Sequence, residues 1–307
     1  MLDLLQQSIE IGMITSLVVL ALYLSYTMLN VCDLSTDGAY IFGAAVGAVV
    51  AISGHPFLAI LAAMGAGMAS GLVTAFLQTK LGVNSLLAGI VVNTGLYSVN
   101  IAVMGAAQLN MNKTTTIFSM MKDLLRGTFL ESYSKLIVIV IVVALVSVLL
   151  TLFLKTRLGL ALRATGNNPD MVRSSSINTT VITIVGLMLA NALTGLAGCL
   201  FGEYNKSLDI NSGVGTLTIA LASLLIGRLF FRKKGVGFGA FGAIIGAILF
   251  RIVYAIALKL NMPTSLLKLV SSVIVVLAIA IPYLVGKAKS DVVRKKRSKL
   301  RREGGAN

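Results

Sequence analysis

Apolar runs of roughly 20 residues, each enough to cross about 30 Å of hydrocarbon as a helix, recur along nearly the whole of this chain. Nine can be delimited, at about 11–30, 38–53, 57–79, 84–105, 135–154, 181–201, 214–231, 236–258 and 266–286. A length of 307 residues would otherwise suggest about two soluble domains. The 57% hydrophobic and 12% charged content excludes that, since soluble domains run at roughly 45–50% and about 25%. The expected fold is an all-α polytopic membrane protein with about eight to ten transmembrane helices. The first run follows Asp3 and Glu10 rather than a basic segment and lacks a small-residue cleavage site behind it, so it reads as a retained span. Residues 31–56 are short and carry Asp33 and Asp37, and either cross fully or form a broken, re-entrant element.

The net charge of +15 is placed unevenly, with nine basic residues in the last 21. Such a tail, 287–307, can serve as a nucleic-acid arm. Directly after a membrane span it reads better as a cytoplasmic anchor against anionic lipid. If every run crosses once and the tail is cytoplasmic, one side receives Lys80, Lys155, Arg157, Arg163, Arg173, Arg228, Arg232, Lys233, Lys234 and the tail, eighteen basic residues. The other receives four, Lys113, Lys122, Arg126 and Lys206. Positive charge concentrates on the cytoplasmic side, which sets the N-terminus outside and the C-terminus inside.

Only two loops are long. Residues 106–134 lie outside, and FSMMKDLLRGTFL within them is amphipathic enough for a helix on the membrane surface or against a partner. Residues 155–180 lie inside and contain a helix-start signal. Asn168 can cap free amides, Pro169 suits the first helical position, and Asp170 favours the positive end of the helix dipole. The spacing predicts a short helix over 169–177 that presents Met171 and Val172 beside Arg173; the alternative is a solvated linker.

Gly159 to Asp170, GLALRATGNNPD, resembles the cytoplasmic loop of ATP-binding-cassette importer permeases of the branched-chain amino acid and ribose type. Arg163, Gly166, Asn167, Pro169 and Asp170 match that pattern, while Ser174, Ser175 and Ser176 depart from its usual alanine and glycine. The resemblance extends over nearly the whole chain. Asp33, Leu34, Ser35 and Gly38 are similar to the family's Asp-Leu-Ser-x-Gly element, LGVNSLLAGIVVNTGLYSVN to its next block, and GVGFGAFGAIIGAIL to its late glycine-rich span. It implies a permease domain over 1–286 in the inner (cytoplasmic) membrane, with a coupling helix that docks on an ATPase subunit through Arg163, Gly166, Asn167, Asn168, Pro169, Asp170, Met171 and Arg173. It further implies a second copy or a related permease, an extracytoplasmic substrate-binding protein, and ATP and Mg bound by the partner ATPase. The sequence looks most like the group linked to uptake of amino acids, tryptophan and tyrosine among them, in a family that also carries sugars and nucleosides.

Other motifs are weaker. GFGAFG at 237–242 matches a dinucleotide fingerprint, yet no strand precedes it and its glycines run on into an apolar helix. Gly43 and Gly47, Gly67 and Gly71, Gly198 and Gly202, and Gly242 and Gly246 stand four apart, the spacing that lets helices approach closely in lipid. No GxxxxGK[ST] occurs, so the chain has no phosphate cradle of its own. One histidine, His55, and two separated cysteines, Cys32 and Cys199, argue against a metal site, a disulfide framework or a membrane-embedded enzyme.

Polar residues inside spans are functional candidates by default. Asp33, Ser35, Asn84, Ser85, Asn93, Tyr97, Asn100 and Asn191 are candidates for a translocation path, with Thr194 beside them. Asn93, Tyr97 and Asn100 share a helix face. Each of these amides can equally bond a neighbouring helix. Asp33 and Asp37, four apart, are ion ligands in a secondary transporter or else caps of a broken helix; capping is the better reading. Arg251, deep in a span, is expected to pair with a carbonyl or an acid.

Overall fold

The structure is a computed structural model that describes residues 2–128, 131–231 and 235–259, with 269, 272–277 and 280 beyond them. Helix α1 (Leu2–Leu22) runs on as a π-helical turn (Tyr23–Met28). The chain then turns at Asn30, whose left-handed backbone, φ 57°, asparagine tolerates better than most residues. Helices α2 (Thr36–Ile52), α3 (Pro56–Thr79) and α4 (Ser85–Met104) follow. Next come β1 (Gln108–Asn110), α5 (Ile117–Leu124) and α6 (Ser134–Lys155). Two short helices, α7 (Arg157–Asn167) and α8 (Pro169–Ser174), lead into α9 (Thr179–Asn205). After it stand β2 (Ser207–Asp209), a 3-10 turn (Ile210–Gly213), α10 (Thr216–Phe231) and α11 (Val236–Lys259).

Seven helical segments among the described residues are long and apolar enough to cross a membrane, and α2, at 17 residues, is shorter. Together they account for eight of the nine expected spans. The ninth, 266–286, and the tail, 287–307, lie outside the described residues except at the positions just named.

The short second span is a broken crossing. At one end of the bundle, Gly166 packs against the backbone of Met28 and Leu29, and Gly186 of α9 meets the Leu29 side chain. Asp33 then reaches Asn191, midway along α9, and Gly47 reaches Cys199 near the far end of that helix. Residues 29–35 therefore climb the first half in irregular form, and α2 completes the passage at about 1.5 Å per residue. The Leu29, Val31 and Ser35 amides of the break are paired inside the protein, to the Leu24 and Ser25 carbonyls and the Asp33 carboxylate, which is where a membrane tolerates irregular chain.

Helix α9 is the hub, packed against α1, α2 and α3. Lipid tails are as apolar as leucine side chains, so hydrophobic burial adds little between spans and close van der Waals packing does the work. A Cβ on Gly43 would strike the backbone of Gly195, one on Gly67 the carbonyl of Asn191, and one on Gly198 the carbonyl of Tyr40. The same holds between α10 and α11, where Gly227 lies on the Gly242 carbonyl and Gly246 on that of Ser223. The four-apart glycines are thus packing residues, apart from Gly202, which meets only the Met111 side chain. On the outside of the bundle α3 and α6 expose Leu61, Phe76, Ile141 and Leu149, the surface that faces lipid.

The 106–134 segment is more structured than its sequence suggests. Strand β1 pairs antiparallel with β2, Leu109 opposite Leu208, and ties the segment to the end of α9. Helix α5 starts with a capping box between Thr116 and Ser119, and Glu203 of α9 accepts the Ile117 N–H at 3.0 Å. Phe118 is buried edge-on against Tyr204, ring centres 6.0 Å apart. The expected amphipathic helix forms but ends at Leu124, with Gly127 beyond it at φ 81°. Its apolar face is spent largely on the protein itself.

Candidate functional site

The connection between α6 and α9 forms the first candidate site. Sequence analysis left residues 155–168 as loop, whereas 157–167 are helical. Thr156 caps that helix at Gly159 N, and Leu162 is buried beneath it. Asn168 then opens α8 as expected, its Oδ1 accepting from Met171 N at 3.1 Å, with Pro169 in the first turn. The helix stops at Ser174 rather than 177. The Ser174 and Ser175 hydroxyls both donate to the Met171 carbonyl, and Ser176 takes a left-handed backbone at φ 61°.

Helix α8 is anchored by one side chain and presents the others. Val172 is 4% exposed and Met171 66%. Asp170 and Arg173 form an exposed ion pair at 3.5 Å, of a kind worth roughly 0–1 kcal/mol. Arg173 also donates to Thr179 Oγ1 at 3.1 Å, tying α8 to the start of α9. The result is a rigid knob with an apolar tip and a charged rim. Asn168→Ala is expected to cost about 1 kcal/mol, seen as faster amide exchange across 169–174 with global melting almost unchanged.

A buried polar network links the broken span to its neighbours. Asp33, 2% exposed, accepts from Ser35 N at 2.8 Å, Ser35 Oγ at 2.6 Å and Asn191 Nδ2 at 2.6 Å. Thr74 of α3 donates to Ser35 Oγ at 3.2 Å, and Thr36 donates to the Asp33 carbonyl at 2.9 Å. Asp33 precedes α2 while Asp37 lies inside it, so the two carboxylates share no helix face. Asp37 instead accepts from Gly215 N at 3.0 Å and Leu217 N at 2.7 Å, capping α10 from another helix. Asp37 is thus the cap expected, with charge-assisted hydrogen bonds to backbone amides, whereas Asp33 closes a turn on the Ser35 amide just ahead of α2 and caps no helix.

Asn93, Tyr97 and Asn100 do come together. With Asp37 and the turn at Ile210–Val214 they line a cavity of about 320 Å³ between α2, α4 and the 3-10 turn. The remaining path candidates lie elsewhere. Asn84 caps α4, accepting from Leu86 N at 2.9 Å, and Ser85 follows it at the start of that helix. Asp33, Ser35 and Asn191 form the network above, and Thr194 donates to the carbonyl of Ala190 within its own helix.

Two features escaped sequence analysis. Arg251 donates from Nε and Nη2 to the Thr15 hydroxyl, at 3.3 and 3.2 Å, and stands over the Tyr254 ring; its partner is neither the carbonyl nor the acid expected. Glu203 and Glu10 are both buried near one end of the bundle. Tyr204 donates to Glu10 Oε2 at 2.7 Å, and Glu203 holds the Ile117 amide. Glu203 lies just past the apolar run 181–201, where an acid reads as loop. Among the described residues no group of three or more histidine, cysteine, aspartate or glutamate side chains converges on a point.

Comparison with known proteins places this architecture. The profile of the family described as branched-chain amino acid transport system / permease component matches residues 4–279. The chain is 34% identical over 270 residues to a tyrosine transport system permease protein of Clostridioides difficile, covering 88% of each chain. It is 29% identical to an uncharacterized protein of Rickettsia prowazekii over 91% of this chain and 98% of that one. A nucleoside ABC transporter permease protein of Lactococcus lactis is 26% identical over 47% of this chain and 46% of its own length. No solved structure matches. The bundle of apolar spans is that of a multi-pass protein of the cell membrane, a transport subunit and not an enzyme. The chain belongs to the branched-chain amino acid transport system permease family of ATP-binding-cassette transporters.

Proposed function

We propose that this chain is the permease subunit of an ATP-driven importer of an amino acid, in which residues 1–286 are the membrane domain and 287–307 a basic tail against anionic lipid. The single observation that carries the coupling is α8: a capped helix, locked down by Val172, that offers Met171 to a partner. Helix α8 and its flanks, Arg163 to Arg173, dock on an ATPase subunit that supplies ATP and Mg. Lys155, Arg157, Arg163, Arg173 and Arg228 share that end of the chain's alternating path, which favours placing it in the cytoplasm. The segment 106–134, held by β2 and Glu203, then lies outside, where a substrate-binding protein delivers ligand.

Helix α4 supports a paired assembly. It is a spanning helix that exposes Thr94, Tyr97 and Ser98 among its apolar residues. Polar groups facing hydrocarbon are costly, so this face belongs to a water-filled path shared with a second copy or a related permease. ATP binding draws the docked helices together and biases the spans between inward-open and outward-open arrangements, a population shift set by differential contacts in the two states.

The likeness to a tyrosine permease over 88% of both chains favours an aromatic amino acid as cargo. Reconstitution with the ATPase and binding protein tests this. Uptake of labelled aromatic amino acids is expected to require ATP on the α8 side and to be unaffected by collapsing ion gradients. Uptake of a sugar or nucleoside instead, or uptake driven by an ion gradient without ATP, contradicts the reading.

A further inference from the structure

The wall of the cavity between α2, α4 and the 3-10 turn holds an unmet hydrogen-bonding demand. Asn100 lines it and is 2% exposed. Its Nδ2 donates to the Gly38 carbonyl at 3.2 Å, and since a carbonyl takes only a donor, this bond fixes which amide atom is which. The other atom, Oδ1, is buried with no partner. An orphan buried acceptor costs about 1–3 kcal/mol, so it points to a ligand that donates.

Asp37 adds charge to the same wall. Its two oxygens each take one backbone amide, which leaves lone pairs free, and among the described residues it makes no ion pair. A carboxylate and an amide oxygen at one cavity favour a cationic donor. A bare metal ion is a poor fit, because it wants six or more oxygens closely around it and this wall also carries Ile41, Tyr97 and Val214. An ammonium has three separate N–H donors, and an apolar body attached to it can lie on those same side chains. At about 320 Å³ the space stands at the small end of the range for small-molecule sites.

We infer that this cavity is a subsite within the permease itself that binds the α-ammonium group of an amino acid through Asn100 Oδ1 and the Asp37 carboxylate, with the side chain against Ile41, Tyr97 and Val214. The inference rests on the importer reading and assigns ligand recognition to this chain in addition to any delivering protein.

The test is equilibrium binding to the purified complex of this chain with its ATPase, without binding protein. The probes are the three aromatic L-amino acids, their amine-only analogues lacking the carboxylate, their acid-only analogues lacking the ammonium, and Na⁺ and K⁺ alone. The amino acids and the amines are expected to bind, and the acid-only analogues at least tenfold more weakly. Asn100→Leu is expected to erase that discrimination, while Asn100→Asp, which keeps an acceptor oxygen, retains it. Equal binding of acid-only and amine-bearing probes, saturation by Na⁺ or K⁺ alone that excludes the amines, or no binding of any probe overturns the inference. Misfolding of a variant leaves the analogue series on the unsubstituted complex decisive. Hydrolysis of ATP by that same complex reports the importer reading separately: a complex that hydrolyses ATP and discriminates no analogue sinks the subsite alone.

Discussion

Leucine at Gly67 is expected to prevent the bundle from assembling, whereas leucine at Gly65, two residues away on α3, is expected to be tolerated. A Cβ at 67 runs into the carbonyl of Asn191 and the backbone of Ala192, atoms of the hub helix that no rotamer change can move aside. A Cβ at 65 meets nothing within 4 Å, because that residue faces outward. Overpacking a core costs about 1–3 kcal/mol when side chains can adjust. Here α3 must move away from α9, which also pulls Thr74 from Ser35 and strains the polar network. The expected result is upward of roughly 3 kcal/mol lost, seen as aggregation of Gly67→Leu on size-exclusion chromatography in mild detergent and a symmetrical peak for Gly65→Leu. Two equal peaks would show that α3 and α9 are not in contact as described.

Asp33→Ala carries the second large effect. It leaves the Ser35 amide and hydroxyl and the Asn191 side-chain amide without their acceptor inside the membrane. Two or three orphaned donors at about 1–3 kcal/mol each, partly relieved by relaxation, give a loss of roughly 2–5 kcal/mol. The apparent melting temperature should fall by on the order of 10 °C. Asp33→Asn keeps one acceptor oxygen and should fall less. Asp33→Ala with unchanged melting but abolished transport would instead mark Asp33 as an ion ligand, the role that its three hydrogen bonds within the protein argue against.

The parts of this molecule that were legible in its sequence are those with local causes. Spans follow from runs of apolar residues, and α8 from the Asn168, Pro169 and Asp170 start signal. The close helix pairs follow from glycines spaced to share a face. What stayed hidden depends on residues far apart in the chain. Near Arg157–Asn167 the Thr156 cap is a weak local mark of a helix and two glycines argue against one; it forms because Leu162 is buried and Gly166 seats on Met28 and Leu29. The ribbon of β1 and β2 is three residues a side, too short for any alternation to register. Asp33 meets Asn191 across 158 residues, and Asp37 caps a helix that starts 179 residues later, so neither role is visible in local spacing. The stripe of Asn93, Tyr97 and Asn100 was legible as a face, but the unpaired Asn100 oxygen is a property of three dimensions only.

On the proposed function, coupling is a matter of mechanical linkage. Gly166 of α7 rests on the end of the π-helical turn that follows α1, and Arg173 of α8 on the start of α9. A displacement of α8 therefore reaches the break at 29–35 and the hub helix, whose Asn191 holds Asp33. From there α2 carries Asp37 and Gly38 on the wall of the cavity.

The most direct measurement is affinity capture of the ATPase by this chain in mild detergent, with ATP hydrolysis assayed on the captured complex. The variants are Met171→Glu, and Arg163→Ala with Asp170→Ala, at the α8 end, and Lys122→Glu in α5 at the opposite end as control. The account predicts a stoichiometric, ATP-hydrolysing complex for the unsubstituted chain and for Lys122→Glu. It predicts at least a tenfold loss of captured ATPase for Met171→Glu, because a charge at the exposed tip must be desolvated on docking. Equal capture and hydrolysis with every variant, or a chain that purifies alone and moves amino acids down an ion gradient, would contradict it.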